Sequence, residues 1–143
     1  RSARYSTPLA LILFDLDHFK KVNDTYGHLG GDAVLCAVSR VVRNSIREND
    51  IAGRYGGEEF GIILPNTPEA GAVVVAERIR ASIEAAPIPF EDREIKATSS
   101  LGVTEYRPGV ADCEELIAQA DAALYRAKEG GRNRVILHST MSK

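Results

Sequence analysis

The run "LALILFDLD", Leu9 to Asp17, limits the fold more than any other stretch. It is apolar on both alternating faces until Asp15, and it is too short to stand as a helix of its own. Such a run reads as a central strand covered on both sides. A strand of this kind needs a sheet with packed layers above and below it, and the remaining sequence supplies them. "HFKKVNDTYGH" predicts a short helix, capped by Asp17 and closed by Gly27. Val34, Leu35, Val38, Val42 and Ile46 then recur at helical spacing, so a second helix is expected from Asp32 to near Asn49. "DIAGRY" and "EEFGIILP" read as two strands joined across Gly56-Gly57, a dipeptide suited to the positive φ angles of a tight hairpin.

Thr67 as N-cap and Pro68 at the first helical position open the next helix, with Ala72, Ala76, Ile79 and Ile83 on its buried face and an end before Pro87. A small hairpin around Glu91 to Arg93 follows, then a further strand in which Ser100 and Gly102 are weak strand formers. Asp112 and Glu115 stand at capping-box spacing before a helix that carries Leu116, Ala120, Leu124 and Ala127 on one face and ends at Gly130. "RVILH" is the last strand. The order β-α-α-β-β-α-β-β-α-β predicts an α/β fold of the α+β sandwich kind, with a mainly antiparallel central sheet and helices packed around it.

A chain of 143 residues with 44% hydrophobic content suits one domain with a continuous core. Its formal net charge of −2 argues against general affinity for nucleic acid or anionic membrane. Cys36 and Cys113 belong to no CxxC or Cys/His cluster, so a zinc site or disulfide framework is not expected and a reducing cytoplasm fits. No apolar stretch approaches the roughly 20 residues of a transmembrane helix.

Function concentrates at the tips of the strands. Asp15 and Asp17 end the first strand, and "RYGGEEF" places Glu58 and Glu59 at the head of another. If these strands are neighbours, their carboxylates meet, and oxygen-only ligands suit Mg²⁺ or Mn²⁺. Successive strand residues point to opposite faces, so Glu58 and Glu59 cannot both turn the same way. Glu58 is expected to face Asp15. The spacing leaves a second reading open, in which the aspartates are a solvated strand end and helix cap and the glutamates are exposed hairpin residues.

"FDLDHFKKVNDTYGH", "GRYGGEEF" and "AKEGGRN" together resemble the GGDEF family of diguanylate cyclases, which make cyclic di-GMP from two GTP; "RYGGEEF" stands at the signature in its GGEEF variant. The resemblance implies a palm-like fold, as in nucleotide cyclases and polymerases, with two divalent ions, Mg²⁺ or Mn²⁺, between the strand aspartate and the signature hairpin. It implies that Asp15 and the Leu16 carbonyl bind metal, that Glu58 binds metal and accepts a proton, and that Glu59 has a lesser, metal-assisting role. It assigns Asn23 and Asp32 to the guanine edge, His28 to a further substrate contact, and Lys20, Lys128 and Arg132 to the triphosphate. An Asn amide and an Asp carboxylate do match guanine's donors and acceptors, a pairing that adenine leaves partly unmade. Taken singly, Asn23 could also end a helix, Asp32 cap one and His28 lie in a loop, while Lys128 and Arg132 would suit a helix C-terminus without any ligand.

The two-fold symmetric product implies a homodimer that brings two such sites face to face. Arg47 and Asp50 form an RxxD pair that resembles the family's inhibitory product site, with Arg78 as a second clamp from a neighbouring domain; an ordinary surface ion pair at a helix end is the other reading. Family members usually begin with a helix preceded by a "DxLTGLxNR" motif. Residues 1–143 are therefore expected to be a single GGDEF domain that lacks its N-terminal start and any upstream regulatory segment, cytoplasmic in itself even if its parent protein is membrane-anchored. Two rivals keep the fold: a cyclic di-GMP receptor without turnover, and a GTP-binding activator of a partner phosphodiesterase. A polymerase palm is disfavoured, since the chain has no Trp and only 6% aromatic residues for stacking a nucleic acid strand.

Overall fold

The computed structural model describes residues 7–106 and 112–141. Among these residues, seven strands and three α-helices follow in the order β1 (Leu9–Leu16), α1 (Phe19–Ser45), β2 (Ile51–Arg54), β3 (Glu59–Pro65), α2 (Glu69–Ala85), β4 (Ile88–Phe90), β5 (Arg93–Ile95), β6 (Ser99–Tyr106), α3 (Cys113–Glu129) and β7 (Arg134–Leu137), with a 3₁₀ turn (His138–Thr140) at the end. The main sheet has the order β2-β3-β1-β6-β7, and β4 and β5 form a separate hairpin. The β1/β3, β1/β6 and β2/β3 pairs are antiparallel and, among the described residues of this sheet, only β6/β7 is parallel. This is the expected mainly antiparallel α/β sandwich. No helix among the described residues is long and apolar enough to cross a membrane.

β1 is the central strand, and its alternation divides the core in two. Ala10, Ile12, Phe14 and Leu16 join Val34 and Val38 of α1 and Ala72, Ala76, Ile79 and Ile83 of α2. Leu11 and Leu13 point the other way, to Ala120 and Leu124 of α3. Phe14 stacks on its cross-strand partner Phe60 with ring centroids 4.8 Å apart and planes 5° from parallel. A pair of this kind adds about 0.5–1.5 kcal/mol beyond its area burial. It also clamps β1 to β3 one residue before the acidic tips.

Several local expectations are corrected by tertiary contacts. α1 is one run kinked at Gly27 (φ 78, ψ 176), so the two predicted helices meet directly. Its second part begins before Asp32 and ends at Ser45 rather than near Asn49. Asn23, His28 and Asp32 therefore all lie within α1, and Asp32 caps nothing. Gly56 and Gly57 do not use left-handed φ values. The connection runs from Tyr55 to Glu58, longer than a two-residue turn, and loops of that length are commonly built on type I geometry. Pro68, not Thr67, is the N-cap of α2, because the Thr67 hydroxyl donates to the Pro65 carbonyl instead.

Asp17 is not a helix cap either. His18 takes that position with φ 56, and it makes no capping bond. The Asp17 carboxylate is buried and accepts from Thr98 Oγ1 at 2.8 Å, Ser100 Oγ at 2.6 Å and the Asn133 amide at 3.0 Å. It ties the tip of β1 to β6 and to the loop after α3. A capping role predicts a loss of about 1 kcal/mol on substitution. Three bonds to a buried charge predict more, so Asp17→Ala is expected to cost about 3 kcal/mol in a denaturant titration. A loss near the capping value would show that the network contributes little.

Candidate active site

Register places the acidic residues. Asp15 of β1 stands opposite Glu59 of β3, and directly opposed residues of an antiparallel pair project to the same face. Glu59, not Glu58, therefore shares a face with Asp15, on the α3 side of the sheet. The expectation that Glu58 faces Asp15 across the strands is corrected by this single step of register. Lys128, in the last turn of α3, completes the group by donating to Asp15 Oδ2.

The electrostatics follow from that grouping. Burial holds the Glu59 carboxyl above its ordinary pKa, the Asp15 charge adds to the rise, and the Lys128 ammonium pulls against it. Glu58 and Asp121 contribute further repulsion. Asp15 itself is 4% exposed, and its Oδ1 has no hydrogen-bond partner among the described residues.

Glu58 turns to the other side. It lines a cleft of ≈ 320 Å³ with Lys20, Asn23, His28, Asp32 and Arg54. The Glu58 carbonyl accepts from the Leu16 amide at 3.3 Å, so this cleft adjoins the end of β1. Five of the expected substrate and catalytic residues, Lys20, Asn23, His28, Asp32 and Glu58, thus converge from α1 and the signature hairpin. The kink at Gly27 allows this, because Asn23 precedes it and His28 and Asp32 follow it. Lys20 makes an exposed ion pair with Asp24 at 3.2 Å. An exposed pair of this type is worth about 0–1 kcal/mol and yields readily to a stronger anion.

Lys128 and Arg132 are not among the residues lining that cleft. Lys128 is with Asp15. Arg132 is exposed in the loop after α3, where it, Gly131 and Asn133 all have positive φ. Arg54 was missed by the sequence reading. Its Nη2 donates to the Gly57 carbonyl at 2.5 Å, so the guanidinium braces the signature turn at the edge of the cleft. The one available signal was a cation on the strand entering the hairpin.

Do these residues fit a divalent ion? Among the described residues no three His, Cys, Asp or Glu side chains form a metal-binding group. Mg²⁺, however, is commonly held by one or two carboxylates together with substrate phosphates. A buried Asp15 oxygen without a partner among the described residues, with Glu59 opposite it, meets that requirement with hard oxygen donors only.

Arg47 and Asp50 lie apart from both groups, beyond the C-terminal end of α1. The Arg47 amide donates to Asp50 Oδ2 at 2.8 Å, and the Asp50 amide donates to the Arg47 carbonyl at 3.1 Å. This closes a turn through the backbone. The exposed Arg47 guanidinium makes no ion pair among the described residues. Arg78, expected as a clamp from a neighbouring domain, donates to the Ser45 carbonyl of its own chain at 2.9 Å.

Comparison with known proteins gives the family and the fold. Residues 1–134 match the family described as diguanylate cyclase, GGDEF domain. Diguanylate cyclase A of Treponema denticola is 44% identical over 129 residues, covering 90% of this chain and 35% of that protein. The chain thus spans about a third of that curated relative's length. Among solved structures, the active GGEEF domain of a diguanylate cyclase from Vibrio cholerae superposes with a TM-score of 0.90 at 37% identity, covering 99% of this chain and 89% of that one. The GGDEF domain of DgcB from Caulobacter crescentus, solved in complex with c-di-GMP, gives a TM-score of 0.90 at 34% identity, covering 97% and 84%.

Proposed function

Because this chain belongs to the GGDEF domain family, we propose that it condenses two GTP molecules into cyclic di-GMP and two pyrophosphates. The observation that carries the reading is the convergence of Asn23, His28, Asp32, Lys20 and Glu58 in one cleft beside the Asp15 tip. Asn23 and Asp32 read the guanine edge, and His28 adds a substrate contact. Lys20, Lys128 and Arg132 hold the triphosphate, supplying local positive charge in a protein of net charge −2. Asp15, the Leu16 carbonyl and Glu58 would hold Mg²⁺ or Mn²⁺, with Glu59 in a lesser, assisting role supported by its place opposite Asp15. When bound, such an ion would supply a lowered pKa for the attacking hydroxyl and a counter-charge for the leaving group.

The 3′-oxygen of one GTP bonds to the α-phosphorus of the other as the bond to pyrophosphate breaks. Glu58 accepts the hydroxyl proton. Repetition in the opposite sense closes the ring. With one base-reading cleft per chain, two chains meet about a two-fold axis for each turnover. Incubation of the purified chain with GTP and Mg²⁺, followed by chromatography of the nucleotides, tests the reading. Cyclic di-GMP is expected; GTP that is bound but unchanged would favour a regulatory module instead.

The turn at Arg47 and Asp50 is the proposed inhibitory site. Arg47 can fork two bonds to guanine O6 and N7, and the second Asp50 oxygen is available to guanine donors. Arg78 of a neighbouring domain is the second clamp on the same product. Product bound here would hold two domains away from the face-to-face arrangement. Arg47→Ala is expected to keep turnover within about twofold and to raise the cyclic di-GMP concentration needed for half-inhibition by at least about tenfold, the equivalent of one 1.4 kcal/mol interaction. Equal inhibition of variant and parent would remove the motif from regulation.

A further inference from the structure

Asn23 and Gly31 lie on opposite sides of the Gly27 kink. In a straight helix a separation of eight residues spans about 12 Å. Here the two touch. A Cβ built on Gly31 would lie 2.0 Å from Asn23 Oδ1, 3.1 Å from its Cγ and 3.2 Å from Phe19 Cζ. Gly31 is buried. The Asn23 side chain makes no hydrogen bond among the described residues, so packing alone sets the direction of its amide. The bare Cα of Gly31 provides that packing, and the ring of Phe19, which also lines the cleft, approaches Gly31 at the same point.

We propose that Gly31 is a positioning residue for base selection, the floor on which the Asn23 amide is laid so that it faces the cleft. The inference rests on the guanine-reading role given to Asn23 above. The chemistry of the clash separates it from a general packing role. Asn23 Oδ1 is the far end of a side chain with two free torsions, so a methyl group at position 31 is accommodated by turning the amide away. The backbone of α1 need not move. What changes is the direction of the donors and acceptors presented to the base, and a misdirected amide leaves guanine's edge unpaired while adenine loses little.

The test measures binding of the α,β-methylene analogues of GTP and ATP, which cannot react, to the parent chain, Asn23→Ala, Gly31→Ala and the double variant, with thermal midpoints for all four. Gly31→Ala is expected to lower the GTP-to-ATP affinity ratio at least about tenfold. Added to Asn23→Ala it should lower the ratio no further, because the amide it displaces is gone; coupling of this kind is what a double-mutant cycle reads. Any fall in thermal midpoint in Gly31→Ala should shrink in the double variant, where only the 3.2 Å approach of Phe19 Cζ to the added carbon is left. A parental ratio in Gly31→Ala beside a reduced ratio in Asn23→Ala would overturn the positioning role while leaving the guanine reading in place. A parental ratio in Asn23→Ala would overturn the guanine reading and this inference with it. Unfolding of both the single and the double Gly31 variants would assign the glycine to the fold alone.

Discussion

Glu58→Ala is expected to reduce cyclic di-GMP formation by about three orders of magnitude or more without lowering the thermal midpoint. The expectation combines two roles proposed for one carboxylate, metal ligand and proton acceptor. Removing a single preorganised group that acts as transition-state charge develops costs about 10²–10³ in rate. A group that also holds an ion belongs at or above the top of that range. Stability should hold or rise, because Glu58 lies within electrostatic reach of Glu59, whose other acidic neighbours are Asp15 and Asp121. Deleting one of several clustered acids relieves repulsion in the metal-free protein. Glu59→Gln makes a useful companion, since Glu59 is the residue the register sets opposite Asp15. If Glu58→Ala retained substantial turnover with an unaltered midpoint, the catalytic assignment would move to Glu59 and Asp15.

Gly102→Ala is expected to destabilise the fold by about 3 kcal/mol or more, at the upper end of what overpacking costs. A methyl group there would lie 2.3 Å from the Ala120 carbonyl oxygen and 2.4 Å from the Leu124 nitrogen. Both are backbone atoms of α3, so no side-chain rotation relieves the contact. Only separation of α3 from the sheet can do so. For a domain of this size the loss corresponds to a fall in thermal midpoint of about 10 °C. Activity should fall with it, because the same helix carries Lys128 to Asp15. Gly53→Ala on β2 is the matched control. Nothing lies within 4 Å of its added carbon, and its midpoint should stay within about 2 °C of the parent. Similar midpoints for the two variants would show that α3 is not seated on Gly102.

How much of this was legible in the sequence depended on the range of the interaction involved. Hydrophobic alternation and helical spacing are local properties, so Leu9–Leu16 was readable as a covered central strand and Ala72, Ala76, Ile79 and Ile83 as a buried face, and the structure has both. The Asp112 cap was equally local, and its carboxylate accepts from the Glu115 amide as the spacing required. The motifs singled out Lys20, Asn23, His28, Asp32 and Glu58 as candidates, and the structure brings these five to one cleft between α1 and the signature hairpin. They could not say which of Glu58 and Glu59 turns toward Asp15, because side-chain facing reverses with a one-residue shift of register and register belongs to the paired strands. Asp17 has the appearance of a cap until β6 and the loop after α3 bring three donors from Thr98, Ser100 and Asn133. Gly31 and Gly102 look like weak points in a helix and a strand. Their reason is an approaching surface, the Asn23 amide in one case and the α3 backbone in the other, and a close approach between distant segments exists only once the chain has folded.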